Sequence, residues 1–550
     1  MIKQKFFWNN TDTERFTKGD YLRNGETLEE RAWDIARRAE EILEVDGFAN
    51  KLYYYLSKNW FSLASPVWAN FGRSGLPVSC NNSYIPDSID GMAGKLAEVW
   101  MMTKFGAGCS GYFGDVRPSG SPIGEDEGTA DGPVHFMRAW DNAIDVVSQS
   151  QIRRGNMTAY LPLSHPDIND FLEVREEGHP VQYLSIGVTV TDQWLKDMIA
   201  GDEGKRKIWS RVLRKRFETG YPYIVFHDNM NRFSPDVYRK YGMTINGSNL
   251  CSEIALASTA DESFVCDLGS MNVLYYDAWK TTDCVQIYTM FLDAVMSEYI
   301  EKTRDIPYME SAYNFAVRQR ALGLGVLGYH SLLQSKGIPF ESAEARLLNI
   351  EIFEYIQKET DAASKTLAFM YGEPELLKGT GRRNVTKMAV APTKSSSFIH
   401  GQVSPSIEPW HSNYFTQVSA KGKFTVKNPY LQELLNSRGH NDESTWDSIL
   451  EANGSVQHLT FLSDHEKSVF KTFSEITQME IIEQAADRQE FIDQAQSINL
   501  MIHPKTPVKD VNKLVLYAWS RGIKSLYYQK GQNMAQEVVQ SILECSSCEA

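Results

Sequence analysis

Residues 249–253 read Asn-Leu-Cys-Ser-Glu, and they bring an amide, a thiol and a carboxylate into one short segment. On an extended backbone alternate side chains share one face, so Asn249, Cys251 and Glu253 would point together into one cavity. Taken alone, however, such a segment is more often a half-buried strand with assorted polar residues than a catalytic site. Its interpretation therefore depends on the rest of the chain.

The composition is that of a folded protein without a large charged interface. Apolar residues make up 42% of the 550 residues and charged residues 23%, which are ordinary values for a globular protein. The formal net charge of −14 argues against a broad nucleic-acid surface but leaves room for a local phosphate pocket. No segment resembles a signal peptide or a membrane helix. We therefore expect a cytoplasmic protein that binds neither nucleic acid nor membrane.

Hydrophobic periodicity predicts an α/β fold class. Residues 27–46 read as a capped amphipathic helix. Between residues 60 and 275, short apolar runs such as QYLSIGVTVT and YPYIVF alternate with helical stretches, as in α/β proteins. Residues 285–372 are predicted to be mainly helical, residues 385–425 to be loops with short strands, and residues 464–496 to be helical again.

The cysteines are few and odd in number, seven in all, which favours reduced thiols with chemical roles over a secreted disulfide framework. Two further cysteines, Cys80 in PVSCNNS and Cys266 in FVCDLGSMN, flank Cys251 in the sequence. Each cysteine alone would more often be a small buried hydrophobe. Cys545 and Cys548 form a C-x-x-C pair at the chain end, and a zinc half-site is the less favoured alternative because no second such pair exists.

These cysteines and several longer segments together resemble ribonucleotide reductases, in particular the large, catalytic subunit of class I enzymes. The resemblance covers most of the chain and its combination of motifs is specific. The matching segments are SLASPVWAN (62–70), RRGNMTAYLPLSHPDINDFLE (153–173), ADRQEFIDQAQSINL (486–500) and LYYQ (526–529).

The resemblance implies a fold that periodicity alone does not show. It is a ten-stranded α/β barrel of two antiparallel five-stranded halves, with Cys251 on a central finger loop. Residues 1–60 would form a helical region, residues 61–530 the barrel and residues 531–550 a flexible tail. Many class I large subunits begin with a nucleotide-binding cone, whereas only 79 residues precede Cys80 here. We therefore expect a compact form without that cone.

The resemblance also assigns roles at the active site. Cys251 would carry a thiyl radical that removes the 3′-hydrogen of a ribose, Glu253 would accept the 3′-hydroxyl proton as general base, and Asn249 would hold the substrate. Cys80 and Cys266 would supply two electrons and protons and end as a disulfide. Such a disulfide requires their Cα atoms to lie within about 7 Å.

Radical supply and re-reduction are implied to involve other groups. Tyr527 and Tyr528 would relay an electron and proton from a small ferritin-like subunit with a metal-based or tyrosyl oxidant, although adjacent tyrosines are usually packing residues. This chain itself would bind no metal or cofactor. The tail cysteines Cys545 and Cys548 would exchange with the buried disulfide and be restored by thioredoxin or glutaredoxin.

The substrate phosphates are expected to bind hydroxyl-rich loops. Ser65 and residues 391–397 match the family's phosphate-holding segments, with Thr393, Lys394 and Ser395 as candidate contacts. Hydroxyls and backbone N–H groups suit a phosphate geometrically. Solvated Ser/Thr loops are the alternative interpretation.

An allosteric specificity site for dNTP or ATP effectors is also expected from the resemblance. Asp87 would hold the effector's sugar and Arg117 its phosphates, and Arg153 lies in the loop 149–159 that would connect effector to substrate. Surface Asp and Arg residues are more often only solvated charges. Arg154 stands where the family usually has a small residue, so which effector nucleotide favours which substrate stays open. The family's specificity-site geometry favours a homodimer.

The segment 323–328 matches G-x-G-x-x-G, but it follows a predicted helix instead of a strand, so we interpret it as close packing and not as a dinucleotide site.

The predicted function is reduction of ribonucleoside diphosphates to 2′-deoxyribonucleoside diphosphates for DNA synthesis. The alternatives are an adenosylcobalamin-dependent class II reductase, which would not need the tyrosine pair, and a catalytically silent nucleotide-binding paralogue.

Overall fold

The computed structural model describes residues 5–19, 21–125, 128–147, 155–419 and 422–531. Helices and strands alternate along most of this length, as the periodicity predicts. None of the helices in these ranges is long and apolar enough to cross a membrane.

The helices have the following bounds: α1 (Thr11–Thr17), α2 (Leu28–Leu43), α3 (Phe48–Ser57), α4 (Ser65–Asn70), α5 (Ile89–Lys104), α6 (Pro133–Val146), α7 (Ile168–Phe171), α8 (Asp192–Ala200), α9 (Glu203–Thr219), α10 (His227–Arg232), α11 (Asp236–Tyr241), α12 (Tyr276–Trp279), α13 (Cys284–Thr303), α14 (Glu310–Gln319), α15 (Tyr329–Ser335), α16 (Ala343–Tyr371), α17 (Lys394–Ile399), α18 (Pro429–Arg438), α19 (Glu443–Glu451), α20 (Asp464–Val469), α21 (Gln478–Gln489) and α22 (Val508–Ser520).

The strands have the following bounds: β1 (Phe61–Leu63), β2 (Cys80–Tyr84), β3 (Cys109–Tyr112), β4 (Met157–Pro162), β5 (Ser185–Val190), β6 (Tyr223–Phe226), β7 (Phe264–Asn272), β8 (Leu322–Leu327), β9 (Tyr414–Ser419), β10 (Gly422–Lys427), β11 (Leu500–Ile502), β12 (Ser525–Leu526) and β13 (Gln529–Gly531).

Strands β2 to β6 form a parallel half-barrel. They pair in chain order, each strand parallel to the next. Every residue of β5 and of β6 is buried, because helices cover one face of the sheet and the barrel interior covers the other. The apolar runs in the sequence are the consequence of burial on both faces.

A second parallel half is built from β7, β8 and three extended segments further along the chain. Strands β7 and β8 pair in parallel. The next segment, residues 385–390, hydrogen-bonds to β8 through the Leu324 N–H and the Lys387 carbonyl at 2.7 Å, and to residues 494–502 through the Val390 N–H and the Ala495 carbonyl at 3.1 Å. β11 then pairs in parallel with β13.

The two halves meet at two antiparallel seams. Strand β2 pairs with β7 at one seam, and β6 pairs with β12 at the other. Counted with the extended segments 385–390, 494–502 and 525–531, the closed structure has five strands in each half, so the predicted ten-stranded barrel of two antiparallel halves is confirmed. Closure removes the exposed strand edges that an open sheet would present.

A finger loop, residues 243–263, runs between α11 and β7 without regular secondary structure. Strand β4 contacts it from one side, since the Tyr160 hydroxyl donates to the Asn249 carbonyl at 2.8 Å. The last strand segment contacts it from the other side, since the Ser525 hydroxyl donates to the Ser252 carbonyl at 2.7 Å. Contacts with both halves place this loop inside the barrel, as the resemblance implies.

The N-terminal helices lie against the outside of this barrel. Helix α2 begins with a capping box between Thr27 and Glu30, which confirms the predicted helix start. The buried guanidinium of Arg31 donates to the main-chain carbonyls of Trp68 and Phe71, both at 2.7 Å. These bonds tie α2 to the segment that follows β1.

The glycine-rich segment 323–328 overlaps strand β8 (Leu322–Leu327), which follows helix α14 and lies within a range predicted to be mainly helical. A Cβ at Gly325 would lie 2.5 Å from the Ala389 carbonyl oxygen, and one at Gly323 would lie 2.5 Å from the Leu268 side chain. Both distances are shorter than real Cβ contacts allow, so only glycine fits between the neighbouring strands. The interpretation as close packing is confirmed.

Asp267, in β7, is expected to make the stability of the fold depend on pH. Its side chain is buried, and Oδ2 has no hydrogen-bond partner among the described residues. Burial, with a smaller effect of the Asp293 carboxylate, raises the pKa of Asp267 well above its usual value. Because the unfolded chain ionises this group at a lower pH than the folded protein does, stability is lost as the pH rises between the two pKa values.

We expect Asp267→Asn to remove this loss. Relative to the variant, the wild type should lose about 1.4 kcal/mol of unfolding free energy per pH unit across that window. Urea denaturation at several pH values measures the difference, and Asp145→Asn, at an exposed position, is the control. Equal pH slopes for the wild type and Asp267→Asn would contradict the prediction.

Candidate active site

The antiparallel seam between β2 and β7 brings two distant cysteines together. Cys80 is the direct register partner of Cys266. Directly opposed residues of antiparallel strands have Cα atoms roughly 4.5–5.5 Å apart, which is within the range that a disulfide spans. Both thiols are reduced and buried in this structure. The geometry that the resemblance requires is therefore present.

The finger loop brings Asn249 to this cysteine pair. The Asn249 Nδ2 donates to the Cys80 Sγ at 3.6 Å. The loop is not extended here, however: the Ser252 N–H donates to the Asn249 carbonyl at 3.4 Å, and Ser252 has a φ of +69°. A turn therefore replaces the extended backbone that would place residues 249, 251 and 253 on one face, although the Asn249 side chain still hydrogen-bonds to Glu253.

Cys251 and Glu253 are both held by Ser497. The Ser497 hydroxyl lies 2.6 Å from the Cys251 carbonyl oxygen and 2.9 Å from Glu253 Oε2. A backbone bond from the Ala495 N–H to the Glu253 carbonyl, at 2.9 Å, fixes the same part of the loop. Sequence reasoning missed Ser497, because nothing in the pattern of residues 486–500 marks one serine as a contact of the finger loop.

The burial of Glu253 changes its acid–base chemistry. Its side chain is 1% exposed, and this burial raises the pKa of Glu253 to about 7, against the opposing effect of hydrogen bonds from its own backbone, Asn249 and Ser497. A carboxylate with a pKa near neutrality is suited to accept and return a proton.

Burial acts on the two paired thiols in the same direction. It raises the pKa of Cys80 and of Cys266, with a further contribution to Cys80 from the Glu253 charge. Both sulfurs therefore keep their hydrogens at neutral pH. Neutral S–H groups can donate hydrogen, whereas a nucleophilic mechanism would need thiolates.

Gln494 is a second residue that sequence reasoning missed. Its Nε2 donates to the Cys266 Sγ at 3.3 Å and to the Leu322 carbonyl at 2.9 Å. Its Oε1 accepts a bond from the Ala255 N–H at 3.1 Å. One buried amide thus connects the cysteine pair, strand β8 and the finger loop.

The predicted tyrosine pair lies in a larger cluster. The Tyr527 and Tyr528 ring centroids are 4.2 Å apart, and both side chains are buried. Tyr223 packs 4.7 Å from Tyr527 and 5.1 Å from Tyr528, and Tyr221 packs 5.3 Å from Tyr528. The sequence analysis did not predict that Tyr221 and Tyr223 would contact Tyr527 and Tyr528. These contacts form across the β6–β12 seam.

A buried arginine, Arg216, contacts the backbone of this tyrosine cluster. The Arg216 Nη1 donates to the Tyr527 carbonyl at 3.0 Å, and the side chain is fully buried. Burial lowers the pKa of Arg216 to about 9, so the guanidinium stays charged at neutral pH. A fixed positive charge beside the rings opposes formation of a second, tyrosyl-based cation there.

A polar pocket opens beside Cys266. Thr393, a residue of the predicted phosphate loop, lines this pocket. The lining residues are Ser62, Ala64, Pro66, Ser79, Cys266, Asp267, Leu268, Gly269, Ser270, Ala391, Thr393 and Ser396. Its hydroxyl groups and main-chain atoms suit a phosphorylated ligand.

The other predicted phosphate contacts are not among the residues that line this pocket. Ser65 starts helix α4 next to the lining residue Pro66, and its Oγ accepts a bond from the Tyr21 hydroxyl at 3.1 Å. Ser395 is buried in α17. Lys394 instead lines a second cavity.

The predicted effector residues Asp87 and Arg117 contact each other. The Arg117 Nε lies 2.8 Å from Asp87 Oδ2, and the Arg117 N–H donates to Oδ1 at 3.1 Å. Both side chains are partly exposed. Arg153, Cys545 and Cys548 lie outside the described residues, so their predicted roles stay predictions.

Comparison with known proteins identifies the family. The model of the ribonucleotide reductase barrel domain matches residues 78–205, 199–375 and 373–529. The ribonucleoside-diphosphate reductase large subunit of Invertebrate iridescent virus 3 is 33% identical over 94% of this chain and 93% of its own length. The chain belongs to the ribonucleotide reductase large-subunit family.

Further comparisons agree with this membership. The large subunit from Danio rerio is 30% identical over 87% of this chain and 70% of its own length. The class Id ribonucleotide reductase alpha subunit of Actinobacillus ureae has a TM-score of 0.92 and 50% identity, and the match covers 97% of this chain and 99% of that one. The predicted family, enzyme class and barrel fold of this ribonucleotide reductase subunit are therefore confirmed.

Proposed function

We propose that this chain is the catalytic subunit of a class I enzyme that reduces ribonucleoside diphosphates to 2′-deoxyribonucleoside diphosphates. The relatives named ribonucleoside-diphosphate reductase large subunits support the choice of diphosphates. The observation that carries the proposal is the register pairing of Cys80 with Cys266 next to the finger loop that holds Cys251.

Each step of the proposed reaction uses a group of this site. A Cys251 thiyl radical takes the 3′-hydrogen of the ribose, and Glu253 accepts the 3′-hydroxyl proton, which loosens the 2′ C–O bond. The 2′-oxygen leaves as water. Cys80 and Cys266 give two electrons and two protons, one proton to the departing 2′-hydroxyl and one to C2′, and become a disulfide. Glu253 returns its proton to the 3′-oxygen. The 3′-carbon radical then takes its hydrogen back from the Cys251 S–H, which restores the thiyl radical.

The proposed source of the radical is a separate small subunit with a metal-based or tyrosyl oxidant. Class I large subunits work with such a radical-generating partner. The contact between Tyr527 and Tyr528 supports a relay through this chain, because two phenols 4.2 Å apart can exchange an electron and a proton over a short distance. The adenosylcobalamin alternative offers no use for this cluster.

Regeneration of the thiols is proposed to involve the chain end. Cys545 and Cys548 would reduce the Cys80–Cys266 disulfide by thiol exchange, and thioredoxin or glutaredoxin would restore them. Under this proposal residues 1–60 support the catalytic barrel, 61–530, and residues 531–550 serve as the reducing tail. Since the chemistry needs reduced thiols, we place the enzyme in the cytoplasm.

Effector control is proposed at Asp87 and Arg117. A bound dNTP or ATP would replace their mutual ion pair, with the sugar on the carboxylate and the phosphates on the guanidinium. Arg153 would transmit the effector's identity to the substrate pocket, in a homodimer.

The proposal is tested by turnover of CDP. The purified chain is mixed with its cognate small subunit, a dithiol reductant and an effector nucleotide, and dCDP is measured by chromatography. We expect dCDP only when the small subunit is present. Activity with adenosylcobalamin and no small subunit would favour the class II alternative, and absence of activity under both conditions would favour the silent paralogue.

Ionisation of Glu253 is expected to determine how turnover falls on the acidic side of its pH profile. Because only the ionised carboxylate can accept a proton, turnover should rise as the pH increases through about 7. Glu253→Gln keeps an oxygen that can accept the Ser497 bond but removes the base, so turnover should fall by roughly 10²–10⁴-fold.

The pH dependence of dCDP formation in the wild type and in Glu253→Gln measures both effects. The matched control is Glu218→Gln, at an exposed position at the end of α9, which should keep the wild-type rate and profile. A residual Glu253→Gln activity with the same rise near pH 7 would assign the base to another residue.

A further inference from the structure

Tyr221 makes a contact with the relay that differs from ring packing. It lies just before β6, and its side chain is 2% exposed. Its hydroxyl oxygen is 3.2 Å from the hydroxyl oxygen of Tyr528, and their ring centroids are 5.3 Å apart at an interplanar angle of 68°. Two phenols therefore meet oxygen to oxygen inside the barrel wall.

A second hydroxyl orients the Tyr221 oxygen. The Ser185 hydroxyl donates to it at 3.4 Å, and the Tyr221 N–H is fixed by a bond to Thr219 Oγ1 at 3.2 Å. When Ser185 donates to the Tyr221 oxygen, the single O–H of Tyr221 is free to point at Tyr528. The contact is thus arranged for exchange of a hydrogen along the O···O line.

Arg175 marks the outer side of Tyr221. Its guanidinium carbon lies 5.1 Å from the Tyr221 ring centroid, and the residue is partly exposed. Tyr221 therefore lies between a surface arginine and the buried Tyr528. A cation over the ring disfavours a positively charged ring radical, so loss of an electron from Tyr221 must be accompanied by loss of its proton.

The neighbouring Tyr223 is held in its neutral form. Its ring lies 5.2 Å from that of Tyr221, and burial raises the pKa of Tyr223 well above its usual value. At Tyr221 itself, the hydrogen bond to the Tyr528 hydroxyl at 3.2 Å allows a neutral phenol and a neutral phenoxyl radical to interchange by transfer of one hydrogen.

We infer that Tyr221 is a third redox-active tyrosine of this chain, one phenol outward from Tyr528. This inference rests on the proposed radical function and adds a member to the Tyr527–Tyr528 relay. The small subunit's radical takes the hydrogen atom of the Tyr221 O–H and is itself reduced. The Tyr221 phenoxyl then takes the hydrogen atom of the Tyr528 O–H: the Tyr528 bond breaks, the Tyr221 bond re-forms, and electron and proton move together.

Radical trapping tests this step directly. 3-Aminotyrosine, which is oxidised more easily than tyrosine, is incorporated at position 221 of the full chain, and the protein is mixed with the small subunit, CDP and an effector nucleotide. We expect an aminotyrosyl radical in the electron paramagnetic resonance spectrum. The positive control carries the probe at Tyr528. The negative control carries it at Tyr299, which is buried but has a hydroxyl without a hydrogen-bond partner in the described part of the chain.

Turnover of Tyr221→Phe supplies the second readout. Loss of the hydroxyl should lower the rate of dCDP formation by about 100-fold, as for removal of a positioned proton-transfer group, with the KM for CDP unchanged. The control is Tyr183→Phe, whose ring is 52% exposed and which should keep the wild-type rate.

The outcomes separate this inference from the proposed function. A radical at position 528 but none at position 221, or wild-type turnover in Tyr221→Phe, overturns the role of Tyr221 and leaves the reductase activity intact. Absence of turnover in the wild-type complex, with no radical at position 528, overturns the proposed function and this inference together.

Discussion

Cys251→Ala is expected to reduce dCDP formation to below the detection limit while the protein stays folded. The substitution removes the only thiol of the finger loop, and without an S–H bond no thiyl radical can form to take the 3′-hydrogen. The side chain is 2% exposed, and loss of one buried sulfur costs only about 1 kcal/mol of stability. The substitution should therefore abolish catalysis without unfolding the protein.

The control for this variant is Cys109→Ala. Cys109 is a buried free cysteine of the same barrel, in β3, and its sulfur contacts Met102 at 3.8 Å. We expect it to keep wild-type turnover at a similar cost in stability. Chromatographic measurement of dCDP compares the two variants, and turnover in Cys251→Ala would rule out the thiyl mechanism.

Tyr527→Phe is expected to reduce dCDP formation nearly as much as Cys251→Ala does. The phenylalanine ring preserves the packing at 4.2 Å against Tyr528 and at 4.7 Å against Tyr223. It has no O–H hydrogen to give, however, so its oxidation would leave a cation radical beside the buried charge of Arg216. CDP and effector binding should be unchanged, because the substitution leaves the pocket beside Cys266 intact.

The matched control is Tyr299→Phe, which removes a phenol oxygen from another buried ring. It should retain wild-type turnover and a similar unfolding free energy. Measured dCDP formation by Tyr527→Phe at the wild-type rate would show that the radical reaches Cys251 by another route. Activity of this variant with adenosylcobalamin would instead indicate local radical generation.

Periodicity predicted the elements whose burial follows a simple pattern. The apolar runs QYLSIGVTVT and YPYIVF contain β5 and β6, and the capped helix at residues 27–46 contains α2. Strand β8 was missed because its glycines have little strand propensity and are explained only by the closeness of Ala389. The extended segment 385–390 lies in the range predicted to hold short strands, but its partners were not predictable, because its hydrogen bonds go to strands far away in the chain.

The sequence by itself determined which reactive groups are available and, through the resemblance, to which family they belong. A thiol at position 251, a carboxylate at 253 and adjacent phenols at 527 and 528 are properties of the covalent chain. The resemblance, and not these side chains alone, implies radical and thiol chemistry before any contact is known.

Only the tertiary structure decided how these groups act on one another. The register that opposes Cys80 to Cys266, the turn that replaces a strand at Cys251, and the contact between Tyr221 and Tyr528 all join residues distant in sequence. The pKa of Glu253, raised to about 7, likewise depends on burial by the closed barrel. Local sequence patterns do not encode such effects, because desolvation and long-range pairing arise only when the whole chain has folded.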